Sequence, residues 1–82
     1  MVKLIFSDNY KRVVSKIKDA FMRERIEKIL FKIANNPEIG KPMKFDRKGT
    51  REVYIRSSRL SYSYNKNIKT IYLLDFYHKD EQ

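Results

Sequence analysis

Arg56 and Arg59 bracket the dipeptide Ser57-Ser58 inside the stretch REVYIRSSRLSYSY, residues 51–64. The stretch alternates: Glu52, Tyr54 and Arg56 interleave with Val53 and Ile55, and Leu60, Tyr62 and Tyr64 interleave with Ser61 and Ser63. Period-two alternation on either side of a polar dipeptide predicts two short strands joined by a hairpin turn. With Ser57-Ser58 as a two-residue loop, Arg56 and Arg59 stand opposite each other with Cβ atoms roughly 4.5–5.5 Å apart. Ile55 then pairs with Leu60 and Val53 with Tyr62 on the other, apolar face. Like charges placed directly opposite destabilise a sheet unless an anion sits between them, so the pair reads as an anion clamp. Two solvated ends of an exposed hairpin are the other reading. Ser-Ser is also a poor dipeptide for a primed turn, which leaves a wider loop open. The chain has one histidine, His78. Imidazole is the side chain whose ordinary pKa suits proton transfer near neutrality, and a surface histidine is the plain alternative.

The surrounding charge points the same way. Among 82 residues, 19 Lys+Arg against 10 Asp+Glu give a formal charge of +9. Such a field on one small domain favours a polyanionic partner, although a Lys-rich solvated surface gives the same total. Lys41, Lys44, Arg47, Lys48, Arg51, Arg56 and Arg59 face only Asp46 and Glu52 between residues 41 and 59, so the basic excess includes the segment that runs into the hairpin. Cysteine is absent, which excludes a disulfide framework and a thiolate metal site, and one histidine cannot build a metal cluster. The run at residues 1–10 is too short for a signal peptide or membrane span, so a cytoplasmic protein is expected.

The elements that must position these residues follow in chain order. Residues 2–6 form an apolar run ending at Ser7-Asp8, two good helix caps, which predicts a strand and then a helix. Tyr10, Val13, Val14 and Ile17 repeat at helical spacing, with Lys11, Arg12, Lys16 and Lys18 opposite. Asp19 caps a second helix whose apolar stripe is Met22, Ile26, Ile29, Leu30 and Ile33. Its outward residues Arg23, Glu24, Glu27 and Lys28 read as solvated surface, with Glu24–Lys28 an i,i+4 pair. Asn35-Asn36-Pro37 stops that helix, Asn by tolerating a left-handed end and Pro by refusing to continue. Residues 37–50 hold both prolines and both glycines and form a long irregular connection, a kind of segment that is often functional. After the hairpin, Asn65-Lys66-Asn67 is a turn. Residues 68–76, apolar on both alternating sets, form a central strand. The sum is one α+β domain over residues 1–82: strand, two helices, three antiparallel strands. The helical hairpin is expected on the sheet face bearing Val53, Ile55, Leu60, Tyr62, Ile71 and Leu73. The other face, with Glu52, Tyr54, Arg56, Arg59 and Ser61, stays open.

In this order and spacing the chain resembles the RelE/ParE toxins of type II toxin–antitoxin pairs. The resemblance rests on the helix-ending run from Asn36 to Met43, the IRSSRLSY hairpin from Ile55 to Tyr62, and the LLDFYHKDEQ ending from Leu73. It implies a small sheet with a helical pair on one face and a basic concave face opposite. It also implies mRNA endonuclease activity in the ribosomal A site and a partner antitoxin that neutralises it. Arg56 and Arg59 match the arginines before and after the family's hairpin turn, and Lys79 matches a basic residue ending the last strand. Tyr77-His78 resembles the Tyr/His ending of the YoeB and HigB branches, where such residues act in catalysis. Glu52 and Tyr54 stand where RelE carries lysines. A ParE-like gyrase inhibitor and a non-enzymatic RNA- or antitoxin-binding member are the alternatives.

Metal-free RNA cleavage needs a base for the 2′-OH, an acid for the leaving 5′-oxygen, and cations for the charge that develops on phosphate. His78 is the expected proton-transfer group, Glu52 a possible base, and Arg56, Arg59 and Lys79 the phosphate clamps. Tyr54, Tyr72 and Tyr77 offer rings for unpaired bases, and Lys41, Lys44, Arg47, Lys48 and Arg51 offer backbone contacts. Tyr72 also reads as packing. No cofactor or metal is expected. A helical, acidic antitoxin segment is expected to cover the surface from Lys41 to Arg59 or the helical hairpin. Strand parity brings His78 to the Arg59 side when the Asn65–Ile68 turn is a two-residue loop; a bulge would reverse it.

Overall fold

In a computed structural model, residues 2–45 and 48–78 are described. The elements run β1 (Lys3–Phe6), α1 (Asp8–Ser15), α2 (Ala20–Asn35), β2 (Lys41–Pro42), β3 (Arg51–Ile55), β4 (Ser58–Asn65) and β5 (Thr70–His78). Both helices start where their caps are. The Ser7 side chain accepts from the Tyr10 amide at 3.0 Å, and Asp19 accepts from the Phe21 amide at 2.9 Å. Asn36 lies at φ −145 rather than in the left-handed region, so the end of α2 differs from expectation. A residue before proline is pushed to extended backbone, and Pro37 stops the helix alone.

The strands form one sheet in the order β1-β5-β4-β3-β2, with β1 parallel to β5 and the other pairs antiparallel. The doubly apolar strand β5 is an interior strand, flanked by β1 and β4, although the middle place of the five belongs to β4. β2 is a two-residue strand inside the segment read as irregular; its ladder to β3 is too short to show in a sequence pattern. Ile26 and Ile33 of α2 and Tyr10 of α1 pack with Ile55, Leu60, Tyr62, Ile71, Leu73 and Phe76 into the core. Val53 packs against this cluster, so the helices cover the expected face. Ile68 falls in the 66–69 turn and is exposed, because β5 begins only at Thr70.

The hairpin register differs from the expected one. Ile55 pairs with Ser58, Tyr54 with Arg59 and Val53 with Leu60, so the two-residue turn is Arg56-Ser57. Arg56 carries the positive φ of that turn, +56. A primed turn needs φ above zero at its first position, and neither serine-first nor arginine-first loops advertise it by composition. The pairing moved by an even number of residues, so every side chain kept its face. The supposed Arg56–Arg59 opposition does not exist.

A second irregularity decides which end residue reaches the site. Ser61 pairs with Asp75 but Tyr62 with Leu73, a bulge that leaves Leu74 over. The Leu74 carbonyl, out of the ladder, accepts the Ser7 hydroxyl at 3.0 Å and the Asn9 side-chain amide at 3.2 Å. The Ser7 amide donates to the Leu73 carbonyl at 3.0 Å. The start of α1 therefore holds the bulge in place.

Candidate functional site

Beyond the bulge, Arg59 pairs with Tyr77 and Ser58 with His78. The row Tyr54–Arg59–Tyr77 is on the open face, as is the neighbouring row Glu52–Ser61–Asp75. His78 belongs to the row Ile55–Ser58–His78, which is the helix-bearing side. One extra residue in β5 thus exchanges Tyr77 for His78 above Arg59, the reversal that a bulge entails.

Glu52 is the centre of the open-face cluster, and it is not open: only 2 % of it is exposed. The Tyr77 hydroxyl donates to Glu52 Oε2, and Arg59 Nη1 lies 3.7 Å from Glu52 Oε1. A buried carboxylate is tenable when a cation and a donor hold it, and Arg59 and Tyr77 supply both. The Arg59 guanidinium also lies over the Tyr54 ring, 4.8 Å from its centroid, an arrangement that favours the cation electrostatically. Tyr54 itself is 53 % exposed, so its outer face is available for stacking. Arg59, Glu52, Tyr77 and Tyr54 are brought together from β3, β4 and β5. Lys41 joins their border, directly opposite Glu52 in the β2–β3 ladder.

Other expected residues are elsewhere. Arg56 sits in the hairpin turn, exposed, and is outside the paired row Tyr54–Arg59–Tyr77. Arg51 lies on the helix-bearing face opposite Tyr62 and donates through Nη1 to the carbonyls of Glu38 at 3.0 Å and Gly40 at 2.8 Å. It ties down the segment after α2, together with the buried Tyr62 hydroxyl, which donates to the Pro37 carbonyl at 2.8 Å and accepts from the Gly40 amide at 2.9 Å. Burial pushes the Tyr62 phenol up, against the lowering influence of the Gly40 amide and of Arg51. Gly40 is required there: a Cβ would lie 2.7 Å from the Tyr62 hydroxyl. Lys44 and Lys48 are exposed on the connection between β2 and β3. Arg47 and Lys79 lie outside the described residues. Tyr72 pairs with Ser63 and with Ile5, between two strands, and is half-buried.

Asp75 went unnoticed in the sequence. It occupies the Glu52–Ser61 row, and its Oδ1 accepts the Phe76 amide at 2.8 Å beside the bulge. Simple alternation gives it no place on the open face; only the bulge does. Among the described residues no group of three or more His, Cys, Asp or Glu could hold a metal ion. No described helix is long and apolar enough to cross a membrane.

The arrangement of the helical pair on the mixed sheet is found in solved structures. A chain of the RelBE2 toxin–antitoxin complex from Mycobacterium tuberculosis superposes with a TM-score of 0.82 at 20% identity, over 94% of this chain and 96% of that one. A chain of the intact Escherichia coli RelBE toxin–antitoxin complex gives 0.81 at 18%, over 95% and 96%. The isolated E. coli RelE toxin gives 0.80 at 16%, over 95% of this chain and 84% of that one. The chain has the RelE fold. No protein-family model and no curated protein matches its sequence. On this RelE-like scaffold, the polar cluster occupies the sheet face opposite the two helices.

Proposed function

We propose that this protein is the toxin of a toxin–antitoxin pair and cleaves mRNA on the ribosome by 2′-OH attack. One observation carries the reading: a buried carboxylate, a phenol and an arginine converge on the solvent side of a RelE-like sheet. Arg59 is the cation for the phosphate, because its charge faces the open side and its remaining donors can fork onto non-bridging oxygens. Tyr77 is the group that meets the 2′-OH. As its hydroxyl takes the 2′ proton, it passes its own along the existing hydrogen bond to Glu52. The 2′-oxygen bonds to phosphorus, the bond from phosphorus to the 5′-oxygen breaks, and the leaving oxygen takes a proton from water. The products are a 2′,3′-cyclic phosphate and a 5′-hydroxyl. Tyr54 holds Arg59 from beneath and offers its outer face to an unpaired base. The antitoxin partner follows from the resemblance and from the likeness to chains of toxin–antitoxin complexes.

The test is primer extension on an mRNA translated in the presence of the purified protein. Cuts in phase with codons support the reading. Gyrase cleavage complexes without mRNA cuts would replace it with gyrase poisoning, and neither effect would leave a non-enzymatic binder. The same assay separates Tyr77 from His78. His78→Gln should stay within about threefold of wild type, since parity sets it on the other face. A loss of about 10²-fold or more, the worth of a proton-transfer group, would return the role to His78.

A further inference from the structure

The outward face of α2, read from the sequence as solvated surface, is not uniform. Arg25, Lys28 and Lys32 fall at i, i+3 and i+7, one stripe spanning about 10 Å of helix. They line a cleft of about 220 Å³ whose other wall is the end of β3, with Arg56 and Tyr54. Four cations border this cleft and no acidic residue does. Lys28 shares its charge with Glu24 at 3.4 Å on the exposed flank. Arg25, Lys32 and Arg56 make no ion pair among the described residues. Arg56 occupies the turn position that requires φ +56, where glycine or asparagine is the easier choice, and so directs a long cationic side chain to the end of the sheet.

We propose that this cleft is a second nucleic-acid site, which takes the sugar–phosphate backbone of RNA next to the strand held at Arg59. The proposal rests on the RNA-cleaving function proposed above. Charge selects a polyanion, and Tyr54 selects among polyanions. Its ring edges the cleft and at the same time carries Arg59, so cleft and catalytic row share a wall. A strand leaving Arg59 across the exposed Tyr54 enters the cleft that Arg56 and the α2 stripe line. An exposed aromatic between cations suits alternating bases and phosphates, which an acidic peptide does not present. The backbone belongs either to the mRNA being cut or to ribosomal RNA around it.

The double variant Arg25→Gln/Lys32→Gln tests the site, with Lys18→Gln/Lys66→Gln as an equal loss of charge elsewhere on the surface. Two probes distinguish the sources: a labelled, 2′-O-methylated single-stranded RNA of about a dozen nucleotides, and vacant ribosomes. The cleft variant should lose about tenfold in affinity, and its plot of log affinity against log salt should flatten by about 1.4, or about 0.7 per lost contact. The control should keep most of its affinity. Loss on the oligonucleotide means the cut strand lies in the cleft; loss on ribosomes alone means ribosomal RNA does. Equal losses in both variants, or unchanged binding in the cleft variant while Arg59→Ala weakens it, would overturn the cleft and leave RNA cleavage standing. A wild-type protein that binds neither probe and cuts no translated mRNA would overturn the functional reading and the cleft with it. So would a cleft that binds polyglutamate while ignoring RNA.

Discussion

On the helix-bearing face Arg51 stands opposite Tyr62, and on the open face Arg59 stands opposite Tyr77. Residue types and strand spacing are the same; the partners are not. Arg51 and Tyr62 are engaged by backbone: carbonyls of Pro37, Glu38 and Gly40 and the Gly40 amide. The Gly40 amide is buried and the Pro37 and Gly40 carbonyls part-buried, so the pair is a clasp on the segment after α2. Arg59 and Tyr77 are engaged by a side-chain carboxylate that can gain a proton, and Arg59 meets it at 3.7 Å, looser than a direct hydrogen bond. An Arg–Tyr row is therefore structural or chemical according to what its donors meet. Composition alone does not separate the two.

Removing the two phenols breaks the comparison most sharply. Tyr77→Phe should lower mRNA cleavage by about 10²–10⁴-fold, the contribution of a positioned proton-transfer group, with a modest loss of stability because Arg59 still holds Glu52. Tyr62→Phe should do the reverse. It leaves the Pro37 carbonyl and Gly40 amide without their buried partner and costs about 2–3 kcal/mol, while folded molecules cut at close to the wild-type rate. Urea unfolding and cleavage of translated mRNA, measured on both proteins, check the pair. Wild-type turnover in Tyr77→Phe would make the open-face row a second clasp.

The arginines give the next largest contrast. Arg59→Ala should lower cleavage by about 10²–10³-fold, the usual loss of one transition-state donor. Arg51→Ala should cost about 2 kcal/mol through its two carbonyl bonds and leave the rate of the folded fraction nearly unchanged. Rates normalised to the folded fraction decide. A tenfold or greater fall in that rate for Arg51→Ala would mean the 37–40 segment shapes the site rather than merely closing the core.

The sequence carried the faces of this molecule better than its rows. Helical stripes and strand alternation are set by side-chain periods, so Ile26, Ile33, Leu60, Tyr62, Ile71 and Leu73 could be assigned to the core in advance. Register is set by backbone events that leave faint traces. The shift of the turn to Arg56-Ser57 preserved parity and did no harm to the face assignment, but it dissolved the paired arginines. The bulge at Leu74 changed parity, and with it Tyr77 rather than His78 stands opposite Arg59. Its supports, Ser7 and Asn9, lie more than sixty residues away in sequence, where no local pattern connects them to β5. Glu52 was visible as a polar-face residue, whereas its burial depends on Tyr77 reaching across β4 from two strands away.

A third phenol, this one buried, sharpens the contrast, with the smallest expected effect. Tyr10 is 4 % exposed, and its hydroxyl has no hydrogen-bond partner among the described residues. Burial pushes this phenol up to about 12 from an ordinary 10.0. Here the hydroxyl neither clasps backbone nor meets a carboxylate, so it should contribute nothing that phenylalanine lacks. Tyr10→Phe should raise stability near neutral pH by about 1 kcal/mol, by removing an unsatisfied buried group. The sign of the alkaline effect follows from linkage. Above pH 10 the unfolded chain ionises at this position while the folded chain keeps its proton, so the unfolded state binds fewer protons and folding stability falls as pH rises towards 12. Below pH 10 both states are protonated and the group exerts no pH dependence. The variant should lose that part of the decline and keep the part due to Tyr62, whose phenol is raised as well. Chemical denaturation at pH 7 and at steps from pH 9 to 12 checks both statements. A destabilised variant at pH 7 would show that the Tyr10 hydroxyl meets a partner in solution, and would place it with Tyr62 among the phenols that hold the fold.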